Sequence, residues 1–284
     1  MPDTVHEGIY FGEGPRWHDG RLWYSDFFGH SVHALAPAGD DEVVLRLDAQ
    51  PSGLGWLPDG QLLIVSMTDH RILRRALDGH VSEHANVSQF ARHRSNDMLV
   101  DRAGRAYVGN FGFDPEAEPP GNTPASTSLT RVDPDGSVVR AAADLLFPNG
   151  MAITPDGGTM IVAETYGARL TAFDVSPDGT LSGRRVWADL RGTGIYPDGI
   201  CIDADGAAWV AAAAQPVCVR IREGGEILDR ARFSQNCFAC ELGGQDRRML
   251  YAMTAPTSIE AIASQLPRAR VEQVLVSVPG TGSQ

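Results

Sequence analysis

Short apolar runs recur along the whole chain, each broken by a turn rich in glycine and aspartate. Six copies of one pattern stand out. They read Glu13-Gly-Pro-Arg-Trp17, Ser52-Gly-Leu-Gly-Trp56, Asn96-Asp-Met-Leu-Val100, Asn149-Gly-Met-Ala-Ile153, Asp198-Gly-Ile-Cys-Ile202 and Phe238-Ala-Cys-Glu-Leu242. A turn follows each: Asp19-Gly20, Asp59-Gly60, Ala103-Gly104, Asp156-Gly157, Asp205-Gly206 and Gln245-Asp246. A second apolar strand comes next, as in Arg21-Leu-Trp-Tyr-Ser25 and Gln61-Leu-Leu-Ile-Val65. Third strands such as Leu170–Asp174 and Val217–Ile221 follow, and Asp78-Gly79, Asp135-Gly136 and Asp178-Gly179 lead into fourth ones. Asp-Gly between apolar runs marks a hairpin, because glycine takes positive φ without steric cost.

The copies begin about 39 to 53 residues apart. Four short strands per 40–50 residues, six times over, predict an all-β, six-bladed β-propeller of four-stranded blades. The last copy offers only three strands, ending at Val271–Val276, so Val5–Phe11 at the N-terminus is expected to add the fourth and close the ring. One domain over 1–284 is expected. The longest spacing lies between the third and fourth copies, where a proline-rich insertion at about 111–128 reads as a lid-like loop.

Composition narrows the function. The net charge of −12 disfavours a nucleic-acid partner. No apolar run approaches a membrane span and no leader pattern opens the chain, which implies a cytoplasmic location. The four cysteines, including Cys237-Phe-Ala-Cys240, lack the second pair or histidines of a zinc site and are expected to be structural. The absence of lysine removes Schiff-base chemistry. No Gly-x-Ser-x-Gly elbow, His-Glu-x-x-His or nucleotide loop is present.

The first residue of each copy enters an innermost strand, so six-fold arrangement gathers Glu13, Ser52, Asn96, Asn149, Asp198 and Phe238 into one ring. Converging carboxylates repel unless a cation lies between them, and an all-oxygen set suits a hard ion. Spacing alone also admits a plainer reading, since Asn-Gly and Asp-Gly are common turn dipeptides; Glu13 has no such turn role.

Glu13-Gly-Pro-Arg-Trp, Arg94-Ser-Asn96-Asp, Pro148-Asn149-Gly-Met and Pro197-Asp198-Gly-Ile-Cys-Ile together resemble the signature strands of the gluconolactonase family, which includes senescence marker protein and the luciferin-regenerating enzyme. The resemblance spans nearly the whole chain. It implies a six-bladed propeller with one divalent metal, calcium first and zinc, manganese or magnesium as alternatives. It implies Glu13, Asn149 and Asp198 as metal ligands, Arg94 and Asn96 as substrate-binding residues, and Asp198 as catalytic base. A metal-dependent hydrolase that opens a small-molecule lactone follows, with Asp198 or a water at the metal delivering the nucleophile. Phosphotriester hydrolysis, a lyase or isomerase step, or a non-enzymatic binding propeller are the alternatives. The chain departs from the sugar lactonases at Asn96-Asp97-Met98, where glycine is usual in third place, and in the insertion after Asn110. Phe111, Phe113 and Phe238 near the mouth suit a less polar substrate than an aldonolactone, although ordinary loop packing would also account for them.

Overall fold

The computed structural model describes residues 2–114, 125–213, 215–256 and 266–282. Every regular element among them is a β-strand. The chain opens with β1 (Asp3–Ile9). Blade 1 is β2 (Gly12–His18), β3 (Arg21–Asp26), β4 (Ser31–Leu35) and β5 (Asp41–Arg46). Blade 2 is β6 (Pro51–Trp56), β7 (Leu62–Ser66), β8 (Arg71–Arg75) and β9 (Val81–Asn86). Blade 3 is β10 (Ser95–Val100), β11 (Ala106–Asn110), β12 (Thr127–Val132) and β13 (Val138–Leu145). Blade 4 is β14 (Pro148–Ile153), β15 (Thr159–Glu164), β16 (Arg169–Val175) and β17 (Leu181–Asp189). Blade 5 is β18 (Pro197–Ile202), β19 (Ala208–Ala212), β20 (Val217–Ile221) and β21 (Ile227–Arg232). Blade 6 joins β22 (Asn236–Gly243), β23 (Met249–Ala255) and β24 (Ala269–Leu275) to β1.

The expected closure is therefore present. Antiparallel β1 and β24 pair from Asp3 opposite Gln273 to Ile9 opposite Ala269. The closing strand is shifted slightly from the expected Val5–Phe11, because Tyr10 and Phe11 turn away and donate their N–H groups to the Asp26 carboxylate, each at 2.9 Å. First strands of successive blades touch all the way round, β2 on β6, β6 on β10, β10 on β14, β14 on β18, β18 on β22 and β22 on β2.

The apolar pattern follows from this geometry. Inner strands are sandwiched on both faces by neighbouring blades, so β10 and β18 are buried at every position. Outer strands such as β17 and β21 meet solvent and carry arginine, aspartate and serine. Core clusters lie between blades; one joins Phe11, Trp17 and Tyr24 to Phe238, Tyr251 and Val271 across the closure. All four cysteines are buried and free at the junction of blades 5 and 6, as expected of structural thiols.

Glycine sets how closely the inner strands approach. A Cβ on Gly53 would lie 2.2 Å from the backbone nitrogen of Met98, and one on Gly150 would lie 2.5 Å from that of Ile200. Only a residue without a side chain permits those distances.

Candidate active site

Each inner strand breaks its pairing register beside its ring position. The irregularities fall between Glu13 and Arg16, Pro51 and Leu54, Ser95 and Met98, Pro148 and Met151, Pro197 and Ile200, and Cys237 and Ala239. A bulge frees one or two residues from the ladder and re-aims their side chains. The same local device thus recurs six times at the same end of the ring, where Glu13, Ser52, Asn96, Asn149 and Asp198 sit.

Hydrogen bonds join these residues across blades. Asn96 Nδ2 donates to Asn149 Oδ1 at 3.0 Å, and Ser52 Oγ lies 3.5 Å from Asn96 Oδ1. Asn149 Nδ2 donates to Thr165 Oγ1 at 3.2 Å, and the Thr165 hydroxyl donates to the Pro197 carbonyl at 2.8 Å. Because Thr165 spends its one proton on Pro197, it can only accept from Asn149, which fixes which way the Asn149 amide faces. Asn96, Asn149 and Asp198 are nearly fully buried.

The electrostatics are strained. Burial pushes the Glu13 carboxyl well above its ordinary range, and the charges of Asp198 and Asp97 push it further. Burial and then Asp97 do the same to Asp198, while a hydrogen bond from Asn149 opposes them. Asp198 Oδ1 is buried and, among the described residues, has no hydrogen-bond partner. Asp97 is also raised by burial, against the pull of Arg16, whose Nη2 lies 3.1 Å from Asp97 Oδ1. Arg16 is itself occupied, donating to the Met98 and Pro15 carbonyls as well. Among the described residues, the three carboxylates thus stand close enough to oppose one another's ionisation, and the Arg16 cation beside Asp97 is already committed.

Of the residues anticipated from sequence, Asn96, Asn149 and Asp198 form one linked group, and Glu13 faces Asp198 electrostatically. Arg94 lies on the loop just before β10, half-buried, with Nη1 donating to Gln50 Oε1 at 3.0 Å. Phe238 does not line an open mouth. It is 4% exposed and packs against Phe11 with ring centroids 4.8 Å apart, because the shifted register of β22 turns it into the closure core. The lid-like insertion falls mostly on residues 115–124, which lie outside the described residues. Among the described residues, no three His, Cys, Asp or Glu side chains converge as metal ligands; the candidate set contains two carboxylates and an amide.

Three participants escaped the sequence reading. Thr165 follows β15 in the same blade as Asn149, the group it orients, and the Arg16–Asp97 pair joins blade 1 to blade 3. His70, on the loop after β7, has positive φ and places Nδ1 3.4 Å from Ser95 Oγ. Burial, helped by neighbouring His93 and opposed by Asp69, holds its imidazole below its ordinary value. The clustering of all the histidines before residue 94 was the available signal.

A family model described as SMP-30/Gluconolactonase/LRE-like region matches residues 11–256. A pentonolactonase, XacC, of Haloferax volcanii is 29% identical over 259 residues, covering 89% of this chain and 84% of the relative. A 6-deoxy-6-sulfogluconolactonase of Pseudomonas putida is 25% identical over 285 residues, covering 98% and 95%. The structure of a calcium-binding protein, regucalcin, from Agrobacterium tumefaciens superposes with a TM-score of 0.84 at 23% identity, covering 99% of this chain and 95% of that one, a likeness of fold.

Proposed function

The chain belongs to the SMP-30/gluconolactonase/LRE-like family, and from that premise we propose that it is a metal-dependent hydrolase that opens a small-molecule lactone. The observation that carries this reading is the orphaned Asp198 Oδ1, buried among carboxylates whose ionisation the fold opposes. A buried acceptor without a donor is costly, and natural sites of this kind are completed by a ligand.

The residues present fit a divalent cation. Glu13, Asn149 and Asp198 would hold it through oxygen, and an all-oxygen set of this charge favours calcium, with magnesium, manganese or zinc as alternatives. Once bound, it would polarise the lactone carbonyl and disperse the negative charge that develops on its oxygen.

The remaining work falls to side chains. Asn96 holds Asn149 in register, and the remainder of its amide would contact the substrate. Arg94, anchored on Gln50, offers a planar fork to a substrate hydroxyl or carbonyl above the ring. Asp198 Oδ1 is the atom left for the cation, and the other oxygen of the same carboxylate would accept the proton of the attacking water. The Arg16–Asp97 pair keeps a third carboxylate from competing for the same cation.

The test begins with chelator-stripped protein. Thermal unfolding is followed while calcium, zinc, manganese and magnesium are added, and lactone opening is followed by acid release. A site of this kind gives an upward shift of the midpoint, about 2.7 kcal/mol of stability at a hundred times the dissociation constant. Glu13→Gln and Asp198→Asn should abolish that shift along with turnover. A protein that hydrolyses lactones equally well stripped and loaded would refute the metal role, and turnover confined to an organophosphate would move the reading to phosphotriester chemistry.

A further inference from the structure

Above blades 3 and 4, on the side of the ring occupied by Asn96 and Asn149, four aromatic rings meet. Phe113 stands 5.4 Å from Phe111, 5.2 Å from Phe147 and 5.2 Å from Tyr166, measured between ring centroids. Phe147 lies 4.9 Å from Phe111 and 5.5 Å from Tyr166. They are not fully buried: Phe111, which packs against the core, Phe113 and Phe147 keep part of their surface in solvent, and Tyr166 is 48% exposed.

The chain is strained to hold this cluster. Phe147 has φ 56, a left-handed conformation that a bulky aromatic residue rarely adopts. Its place is over-determined by neighbours. The Leu146 N–H donates to Glu164 Oε2 at 2.8 Å, and the Thr165 N–H donates to the Phe147 carbonyl at 3.1 Å. Glu164 is fully buried and is clamped by Arg169 at 2.9 and 2.8 Å. Strain that is held this firmly beside a site is a functional signature. The link to the ring is direct, because the Thr165 whose N–H holds Phe147 also carries the hydroxyl that orients Asn149, two residues after Phe147.

We propose that this aromatic wall is the specificity subsite of the enzyme, and that its occupant is an alkyl or aryl substituent on the lactone ring. The substrate class is therefore a hydrophobically substituted lactone and not a polyhydroxylated aldonolactone. The inference rests on the lactonase reading given above. A sugar lactone presents hydroxyl groups all round and needs a matching donor or acceptor for each. The wall offers one, the Tyr166 hydroxyl, on otherwise apolar ring faces. A substituent laid across Phe113, Phe147 and Tyr166 removes apolar surface from water on both partners and adds stacking if it is aromatic. The reacting ester would then lie toward Asn149, at the inner end of the same wall.

The experiment compares kcat/KM for valerolactones carrying hexyl or phenyl groups with that for glucono-δ-lactone, in metal-loaded protein. The substituted lactones are expected to win by about tenfold or more, the scale on which an apolar pocket discriminates. Tyr166→Ser and Phe113→Ser should each raise KM for the phenyl lactone by about tenfold more than for gluconolactone. Two variants are used so that misfolding of one leaves the other to decide. A preference for gluconolactone, or equal losses on both substrate classes, overturns the proposal. Calorimetric binding of non-hydrolysable phenyl-substituted lactam and gluconolactam separates this inference from the one it rests on. If no lactone is hydrolysed but the phenyl lactam binds preferentially, and Tyr166→Ser removes that preference, the hydrolase reading falls and the subsite stands. If the phenyl lactam binds no better than the gluconolactam, the subsite falls whatever the enzyme hydrolyses.

Discussion

Arg16 and Asp97, separated by 81 positions in the chain, form a buried ion pair 3.1 Å apart beside the ring of candidate ligands. Arg16 leaves β2 and Asp97 leaves β10, so the pair spans two blades that are not neighbours in sequence. Both side chains are almost wholly buried. An uncompensated charge in such a place is far more costly than a paired one.

Arg16→Met should therefore destabilise the protein by about 3–5 kcal/mol, the usual cost of breaking a buried pair by removing one partner. Adding Asp97→Asn should return part of that loss, because the stranded charge is gone. Urea unfolding of both single variants and the double variant measures the coupling. Additive losses would mean that the pair does not act as a unit.

The raised carboxyls of Glu13 and Asp198 have a pH signature. A carboxyl whose folded value lies above its unfolded value supports the fold at acid pH, and that support is lost as pH rises through the folded value. Metal-free protein should thus lose stability as pH rises above the ordinary carboxylate range because of these groups. Glu13→Gln removes one buried charge, so at pH 8 in chelator the variant should be more stable than the parent, by about 1–2 kcal/mol. It should also lose the metal-induced rise. Differential scanning calorimetry with and without calcium checks both. Calorimetric titration in buffers of different ionisation heat should show proton release on metal binding.

Glu164 behaves in the opposite sense. Burial pushes its carboxyl up, but hydrogen bonds from Arg169, Thr171 and the Leu146 N–H outweigh it and hold the group below its ordinary value. Its contribution is complete above the unfolded carboxylate range and is lost as pH falls through the depressed folded value. Glu164→Gln should cost about 2–4 kcal/mol at pH 7, since it strands Arg169 beside a neutral amide. The loss relative to the parent should shrink below about pH 4. An identical deficit at pH 3 and pH 7 would contradict the assignment.

Gly53→Ala tests the close approach of the inner strands. The new Cβ would meet the Met98 nitrogen at 2.2 Å and the Asp97 carbonyl carbon at 2.7 Å, both backbone atoms that cannot rotate away. β6 and β10 must part, at a cost of about 1–3 kcal/mol. Because Asn96 and Asp97 ride on β10, metal affinity should weaken as well. A thermal midpoint and calcium affinity both equal to the parent's would show that the ring has slack there.

The architecture was largely legible in the sequence. Six copies, their turns and the missing fourth strand of the last blade were visible because strand alternation and turn chemistry are local properties, written within about ten residues. The ring positions Glu13, Asn96, Asn149 and Asp198 were legible for the same reason: each begins a copy, and each copy bulges at the same place. The environment of each was not. Phe238 occupies the equivalent position, yet its register and the ring of Phe11 turn it inward.

The chain by itself determined how many blades there are, where each inner strand begins and which polar groups stand there, because nearest-neighbour hydrogen bonding and hydrophobic periodicity suffice for that. The tertiary structure decided which of those groups face one another and what each must tolerate. It set Arg16 against Asp97, gave Asn149 its orientation through Thr165, left Asp198 Oδ1 without a donor and bent Phe147 into a left-handed turn beside the ring. The Arg16–Asp97 contact exists only once blades pack against one another, because it joins two sheets, whereas the Thr165 and Phe147 contacts are set where β14 and β15 pair within one blade.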